Sequence, residues 1–269
     1  MICVDETHHN FHRIDGRLEP FAELARADGF RVEAIEAGFH VPLPADCRLL
    51  VIANALPSDR DWEDYPYPTP PAFDAAEVAR LTEWVRDGGR LLLIADHMPF
   101  PGAAAELGAA FGCRFLDGFA VAGFTTEAQA RANFLLPTLF TPGDGTLPSS
   151  PATLGRPGSP PVTQVATFVG QAFQCGADAE PLLVLPAGYL SLMPQKAWQF
   201  TMETPRVDVG HWLQGALVEI GQGHAAIFGE AAMFTAQIAD DGRRMGMNAV
   251  GGEQNGTYVL NLLEWLTRP

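Results

Sequence analysis

Short apolar runs alternate with helical patterns through the first 120 residues, and this alternation limits the folds that the chain can adopt. The predicted strands are residues 2–4, 30–35, 48–53 and 90–95. Apolar residues at helical spacing lie between them, as in units where a helix connects two parallel strands. The run at 90–95 is typical of a central strand that is buried on both faces. The sequence therefore predicts an α/β fold around a mostly parallel sheet.

The second half of the chain adds a proline-rich segment to this sheet. Residues 137–161 contain seven prolines with several glycines and serines, which predicts a long irregular loop. Residues 163–173 alternate like a strand, and residues 215–220 and 224–228 indicate a hairpin around a Gly-Gln-Gly turn. No internal repeat is evident, so we interpret residues 1–269 as a single α/β domain that contains this loop.

The balance of charge excludes two classes of partner. The chain has 17 Lys+Arg against 32 Asp+Glu, which gives a formal net charge of -15. Nucleic acids and anionic membrane surfaces repel such a chain at long range, so we predict a small-molecule substrate. No stretch has the roughly 18 apolar residues of a membrane span, and no leader pattern precedes the first strand. The sequence as given predicts a cytoplasmic protein, with a removed or misassigned leader as the open alternative.

The four cysteines are far apart in the chain. Cys3, Cys47, Cys113 and Cys175 form no C-x-x-C pair, which argues against a thiolate metal site. Buried reduced thiols are the favoured interpretation, and one disulfide is the alternative.

Polar side chains cluster where three predicted strands end. Residues 5–12 hold two carboxylates and three of the seven histidines, residues 96–100 open with Asp-His, and residues 229–233 open with Gly-Glu. In open α/β sheets, ligands bind beyond the carboxyl ends of the strands. These three clusters therefore form the candidate site.

The first hypothesis for this site is a zinc centre. Imidazole and carboxylate groups at such density are ligands that a divalent ion like zinc prefers. We predict that His8, His9 and His97 hold the ion together with Glu230, and that Asp96 is the alternative carboxylate ligand.

The same hypothesis assigns catalytic roles to four side chains. A bound zinc ion lowers the pKa of its water, and Glu6, Asp96 or Glu230 would take the proton as general base. Arg206 would stabilise negative charge in the transition state.

A structural role is the competing interpretation for several of these residues. His8, His9 and His12 also fit a solvated loop, because isolated histidines are rarely metal ligands. Asp96 also fits a turn cap, with His97 donating to a backbone carbonyl.

Three segments carry a resemblance to a known group of proteins. Residues 4–10 (VDETHHN), 91–100 (LLLIADHMPF) and 228–234 (FGEAAMF), with the later 246–248 (GMN), resemble a bacterial family. That family is similar to the class I glutamine amidotransferase-like superfamily, in the neighbourhood of the ThuA-like domains. The resemblance implies a flavodoxin-like, doubly wound sheet over nearly the whole chain.

The chain departs from that superfamily at the nucleophile. Amidotransferases place a cysteine after a central strand and a His-x-Glu pair after a later one. Asp96-His97 stands at the first place and Glu230 at the second. The resemblance therefore implies a rim pocket but no glutaminase chemistry through a cysteine.

The leading functional hypothesis is a metal-dependent hydrolase that acts on an ester, a phosphoester or a related small substrate. A metal-free variant uses the same pocket, with Asp96, His97 and Glu230 in acid and base roles.

A non-catalytic, sugar-binding module on the amidotransferase-like fold is the alternative. It is suggested by Trp62, Tyr65 and Tyr67, whose rings are suited to stacking on sugar rings.

Overall fold

The computed structural model describes residues 1–156 and 158–268, and strands supply most of its regular elements. In chain order, the strands are β1 (Ile2–Asp5), β2 (Val32–Ile35), β3 (Leu49–Ala53), β4 (Arg90–Ile94), β5 (Cys113–Phe115), β6 (Phe119–Ala122), β7 (Thr138–Phe140), β8 (Val165–Thr167), β9 (Phe173–Cys175), β10 (Glu180–Val184), β11 (Tyr189–Leu192), β12 (Arg206–Asp208), β13 (Leu213–Ile220), β14 (Gly223–Phe228), β15 (Ala236–Ile238) and β16 (Arg244–Gly246).

Helices flank these strands. They are α1 (Glu19–Ala27), α2 (Ala75–Arg86), α3 (Phe100–Ala103), α4 (Ala105–Ala110), α5 (Glu127–Leu135), α6 (Pro151–Leu154) and α7 (Asn255–Thr267), with single 3-10 turns at 62–64, 142–144 and 232–234. Helix α2 begins with a capping box, in which the Asp74 carboxylate accepts from the Glu77 backbone N–H and the Glu77 carboxylate accepts from the Asp74 N–H. Such a box satisfies backbone donors that a helix start otherwise leaves unpaired.

A nine-stranded sheet forms the centre of the molecule. Its order is β2-β1-β3-β4-β14-β13-β9-β5, with β10 paired to β13. The strands β2, β1, β3, β4 and β14 run parallel, and antiparallel pairing begins at β13. The α/β class and the mostly parallel central sheet that the sequence predicts are therefore confirmed.

Helices cover both faces of this sheet, which explains the continuous apolar strands. On one face, Phe21 of α1 and Leu262 of α7 pack in one apolar cluster with Leu92 of β4. On the other face, Leu81 of α2 and Leu107 of α4 pack with the neighbouring strand residues. Alternate side chains of a strand point to opposite faces, so β3 and β4 are buried on both faces, except at Arg90 where β4 begins.

The segment predicted as one strand at 163–173 contains β8 and ends at the first residue of β9, which belongs to a different sheet. β8 pairs with β7, whereas β9 pairs with β13 and β5. Between them Val169 and Gly170 have φ angles of 72° and 80°, where an extended strand cannot continue. A Cβ at Gly170 would lie 2.3 Å from the Gly229 carbonyl oxygen, so this crossing requires glycine.

The proline-rich segment 137–161 contains short regular elements. Strand β7, one 3-10 turn and helix α6 fall within it, and the rest of its described residues are turns, bends and irregular chain. Pro157, which the prediction includes, lies outside the described residues.

All four cysteines form disulfides, so the expectation of reduced thiols is wrong. Cys3 of β1 bonds to Cys47, just before the adjacent β3, and Cys113 of β5 bonds to Cys175, its register partner on β9. Residues distant in sequence become neighbours because the sheet pairs their strands.

Among the helices in the described part of the chain, none combines the length and the apolar character that a bilayer crossing requires.

Candidate functional site

A cavity of about 300 Å³ lies at the carboxyl ends of the parallel strands. Polar and aromatic side chains make up most of its wall. They are His12, Arg17, Asn54, Asp96, His97, Gln237 and Arg243, with Phe11, Trp62, Phe100, Phe134, Phe168 and Trp198. Asn54 directly follows β3 and Asp96 is the second residue after β4, so the ends of neighbouring strands bring them together.

The proton of His12 is placed by a chain of hydrogen bonds. The Asp96 backbone N–H donates to Asn54 Oδ1 at 2.9 Å, which leaves Asn54 Nδ2 to face His12 Nδ1, also at 2.9 Å. Because Nδ2 only donates, Nδ1 of His12 accepts, and Nε2 carries the proton. Burial, followed by the charges of Arg17 and His97, lowers the pKa of His12 to about 3. The ring is therefore neutral at physiological pH.

The Nε2–H of His12 has no hydrogen-bond partner among the described residues, although it is buried. A buried donor without an acceptor costs about 1–3 kcal/mol. His12 also lines the cavity, so its unpaired donor belongs to the candidate site.

His97 has the opposite arrangement. Its Nδ1 lies 2.9 Å from the Met98 carbonyl oxygen, which can only accept, so Nδ1 carries the proton. Nε2 then holds a lone pair in the neutral ring. The imidazole stacks on Phe119 with ring centroids 4.7 Å apart, and the edge of Trp198 approaches at 5.0 Å. These aromatic contacts fix the plane of the ring.

Two buried carboxylates, Glu230 and Asp96, belong to the surroundings of His97. Glu230 is fully buried, and its oxygens accept N–H bonds from Phe168, Ala232 and Met233 at 2.8–3.2 Å. Asp96 accepts the His97 backbone N–H at 2.8 Å.

The two carboxylates interact. Burial, followed by the charge of Asp96, raises the pKa of Glu230 well above its ordinary value, and burial also raises the pKa of Asp96. Two desolvated like charges oppose full ionisation, so the pair favours holding a proton.

Two arginines border the cavity. Arg17 donates through Nη1 to Gln237 Oε1, and its guanidinium lies 4.4 Å from the centroid of the Phe11 ring. Arg243 pairs with Asp241 at 3.2 Å. The cavity therefore combines arginines at its border with two histidines, His12 and His97, and one acid, Asp96.

His8, a predicted zinc ligand, is held between two carboxylates away from this cavity. Its Nδ1 lies 2.9 Å from Asp5 Oδ2, and its Nε2 lies 3.1 Å from Glu77 Oε1. The rings of Phe39 and Phe73 pack on it at 4.8 and 4.7 Å. Both ring nitrogens are therefore occupied by protein partners.

The other predicted ligands are dispersed as well. His9 is exposed with a φ of 45°, and Glu230 is engaged by backbone amides. Of His8, His9, His97 and Glu230, His97 alone lines the cavity. The structure does not bring these four side chains to one point.

Glu6 and Arg206, the remaining predicted catalytic residues, also have partners elsewhere. Glu6 accepts from the Ile14 N–H at 2.8 Å and pairs with Arg13 at 2.6 Å. Arg206 donates to the Met202 carbonyl at 2.9 Å and lies over the Phe124 ring. Neither is among the described residues that line the cavity.

In residues 1–156 and 158–268, one group of three side chains has metal-ligand spacing. It consists of His40, Asp74 and Glu77, whose ligand atoms lie within 4.8 Å of one another. Asp74 and Glu77 already cap α2, so this group has a structural role without an ion.

The aromatic residues singled out for sugar stacking differ in position. Trp62 lines the cavity, and Trp198, which the sequence did not suggest, approaches it at 6.3 Å between ring centroids. Tyr65 is buried and donates its hydroxyl to the Ser58 carbonyl, whereas Tyr67 is exposed. Trp62 is thus the member of the predicted set that can meet a ligand in the cavity.

Sequence reasoning missed Asn54 and Arg17. Asn54 follows a strand directly, as Asp96 nearly does, so the rule on strand ends identifies it once β3 is placed. Arg17 lies in the segment between β1 and α1 and carries no local signal.

Comparison with known proteins describes the fold. No protein-family model matches the chain, and no curated protein matches it. Among solved structures, the N-terminal domain of mmIFT52 is similar with a TM-score of 0.65 and 13% identity, over 100% of this chain and 98% of that one.

Two bacterial structures are also similar. A cytoplasmic protein of Salmonella typhimurium has a TM-score of 0.52 and 11% identity, over 100% of this chain and 99% of that one. A ThuA-like protein from Bacteroides uniformis has a TM-score of 0.46 and 13% identity, over 98% of this chain and 89% of that one. At these identities a likeness describes the fold and leaves the activity open.

Proposed function

We propose that the protein is a hydrolase that cleaves an ester or a related small substrate by acid and base catalysis in the cavity. The observation that carries this proposal is the opposite proton placement of two histidines that line one cavity. His12 offers an N–H and His97 offers a lone pair. A general base beside a donor for an oxyanion is what water attack on an acyl group requires.

The reaction follows from these two groups. His97 Nε2 takes a proton from a water molecule, whose oxygen attacks the acyl carbon. The carbonyl oxygen becomes negative and accepts the Nε2–H of His12, which gains the partner that it lacks in the free protein. When the tetrahedral intermediate collapses, the bond to the leaving oxygen breaks, and His97 returns the proton to that oxygen.

Asp96 and Glu230 act as positioning residues in this scheme. Asp96 holds both Asn54, through its backbone N–H, and the backbone of His97, through its carboxylate. Glu230 fixes the turn after β14 through three backbone amides. Rigid support of this kind keeps a catalytic pair within reacting distance.

The zinc-dependent route stays a prediction. It requires His8 to break its contacts with Asp5 and Glu77. It also requires Glu230 to break its hydrogen bonds with three backbone amides. The acid and base route uses side chains where they already lie, so we prefer it.

The finer description of the fold belongs to the same proposal. The order β2-β1-β3-β4 matches the start of a flavodoxin-like, doubly wound sheet. Asp96-His97 beyond β4 and Glu230 beyond β14 support the assignment to the amidotransferase-like group without a cysteine nucleophile. The sequence, and not a solved relative, carries that assignment.

A sugar-binding module is the second candidate. Trp62 and Trp198 form an aromatic corner of the cavity, and sugar rings stack on such surfaces. This candidate predicts saturable glycan binding without turnover.

Hydrolysis of 4-nitrophenyl esters and phosphoesters tests the proposal, with and without EDTA. We expect ester turnover that survives EDTA and falls by about 100-fold, or about 2.7 kcal/mol, in His97→Gln and in His12→Asn. His9→Asn is the matched control, because His9 is exposed and outside the cavity. Loss of activity with EDTA and in His9→Asn would favour the zinc route, and absence of turnover on all substrates would overturn the proposal.

A further inference from the structure

We infer that the substrate carries an anionic group, a carboxylate or a phosphate, which Arg17 binds at the opening of the cavity. This inference rests on the proposed function, since it names the class of substrate for the same site. Arg17 lines the cavity and is exposed to solvent, so its guanidinium lies where a ligand enters.

The charge of Arg17 is not matched by an acid of the protein. No acidic side chain of the described residues lies within the 4.0 Å of an ion pair with Arg17. Asp96 acts on it only at longer range, and burial lowers the pKa of Arg17 more than Asp96 raises it. An anionic group on the ligand would stabilise the charge of such a partly desolvated cation, which has no counter-ion in the protein.

The guanidinium is also oriented for a forked contact. Nη1 donates a hydrogen bond to Gln237 Oε1, and the guanidinium carbon lies 4.4 Å from the centroid of the Phe11 ring. Among the described residues, no hydrogen bond uses Nε or Nη2 of Arg17. These two donors form the edge that binds a carboxylate or a phosphate through two parallel bonds.

The positive charge of Arg17 contrasts with the negative charge of the whole chain. The chain carries a net charge of -15, which repels small anions at long range. The oriented Arg17 at the cavity supplies local attraction against that background. The aromatic wall next to it, with Trp62 and Trp198, suits a flat body attached to the anion.

Calorimetric titration of the whole protein with benzoate, phenyl phosphate and benzamide tests the inference. Benzamide has nearly the shape of benzoate and no charge, so it isolates the contribution of the anion. We expect at least one anion to bind about tenfold or more tightly than benzamide, a difference that one charged hydrogen-bonded pair supplies. The tighter anion tells whether the group is a carboxylate or a phosphate.

Variants then assign the effect to Arg17. Arg17→Gln should weaken binding of the anion about tenfold and leave benzamide unchanged, and Arg17→Lys should keep part of the affinity. Arg80→Gln makes the same charge change on the exposed surface of α2 and should have no effect. The inference would be overturned if benzoate, phenyl phosphate and benzamide bound equally well. It would also be overturned if Arg17→Gln bound the anion as tightly as the wild type does.

The two proposals fail in different ways. Hydrolysis of esters without any preference for anions would overturn the role of Arg17 and leave the hydrolase proposal intact. Anion binding that depends on Arg17, in a protein that hydrolyses no ester, would support the anion site and overturn the hydrolase proposal.

Discussion

Asn54 donates from Nδ2 to His12 Nδ1 at 2.9 Å, and this bond determines which nitrogen of His12 carries the proton. A second hydrogen bond fixes the direction of this one. The backbone N–H of Asp96 fixes Asn54 Oδ1, so the opposite edge of the amide must donate. Asn54, at the end of β3, thus determines which nitrogen of His12, in the loop after β1, carries the proton.

Replacing Asn54 with aspartate should invert this relation. In Asn54→Asp, both side-chain oxygens accept, so His12 must place a proton on Nδ1 to keep the bond. We expect ester hydrolysis to fall by about 100-fold and stability to fall by about 1–3 kcal/mol, since a third carboxylate is buried near Asp96 and Glu230. Nitrogen-15 NMR of the imidazoles measures the tautomer. Full activity with an unchanged His12 tautomer would contradict the assigned role.

The low pKa of His12 predicts how stability depends on pH. Its folded pKa of about 3 lies below the ordinary value of about 6.5. Between these values the unfolded chain binds a proton that the folded protein does not, so stability decreases as pH falls below about 6.5. From pH 7.5 to pH 4.5, this one group should cost about 2–3 kcal/mol.

Urea unfolding of the wild type and of His12→Asn at both pH values measures this contribution. Other groups titrate in both proteins, so the difference between the two proteins reports His12. The wild type should lose about 2–3 kcal/mol more than the variant. Equal losses would mean that the ring is protonated in the folded protein at pH 4.5.

His8 should act in the opposite sense. Burial lowers the pKa of His8, but the hydrogen bonds and charges of Asp5 and Glu77 outweigh it, so the pKa is raised above the ordinary value. The stabilisation by protonated His8 is present below about pH 6.5 and is lost as pH rises through the raised folded pKa. At pH 6, His8→Asn should cost about 3 kcal/mol or more in urea unfolding, because two buried carboxylates lose their cation.

A double variant tests whether His8 and Asp5 stabilise the protein through their interaction. Asp5→Asn together with His8→Asn leaves one carboxylate fewer without a partner, so it should be less destabilised than the sum of the single variants. Additive losses would mean that Asp5 and His8 contribute independently.

The sequence identifies the parallel strands and the edge of the sheet where the cavity lies. Both follow from apolar runs, which report burial, and from polar residues directly after them. Asp96 and His97 are at the cavity for this reason, because the chain has no freedom to move them far from the end of β4.

The loop after β1 shows where such reasoning stops. His8 and His12 are four residues apart, yet His8 packs between Phe39 and Phe73 and His12 lines the cavity. The direction of each side chain depends on backbone turns such as the positive φ of His9, which composition does not reveal. Counting histidines in a segment therefore overestimates how many of them converge.

The disulfides provide a prediction about stability that is separate from the site. The Cys3–Cys47 and Cys113–Cys175 bonds close loops of 44 and 62 residues. By the loss of chain entropy in the unfolded state, each bond contributes about 4 kcal/mol. For a domain of this size, removing one bond should lower Tm on the order of 10 °C.

Thermal unfolding with and without a phosphine reductant measures the effect. The variants Cys3→Ser/Cys47→Ser and Cys113→Ser/Cys175→Ser each remove one disulfide. In each variant, the reductant should lower Tm only by the contribution of the disulfide that remains. Neither bond lines the cavity, so ester hydrolysis below the lowered Tm should be unchanged. Four free thiols in the untreated protein, with no response of Tm to reductant, would instead support the reduced cysteines that their spacing suggests.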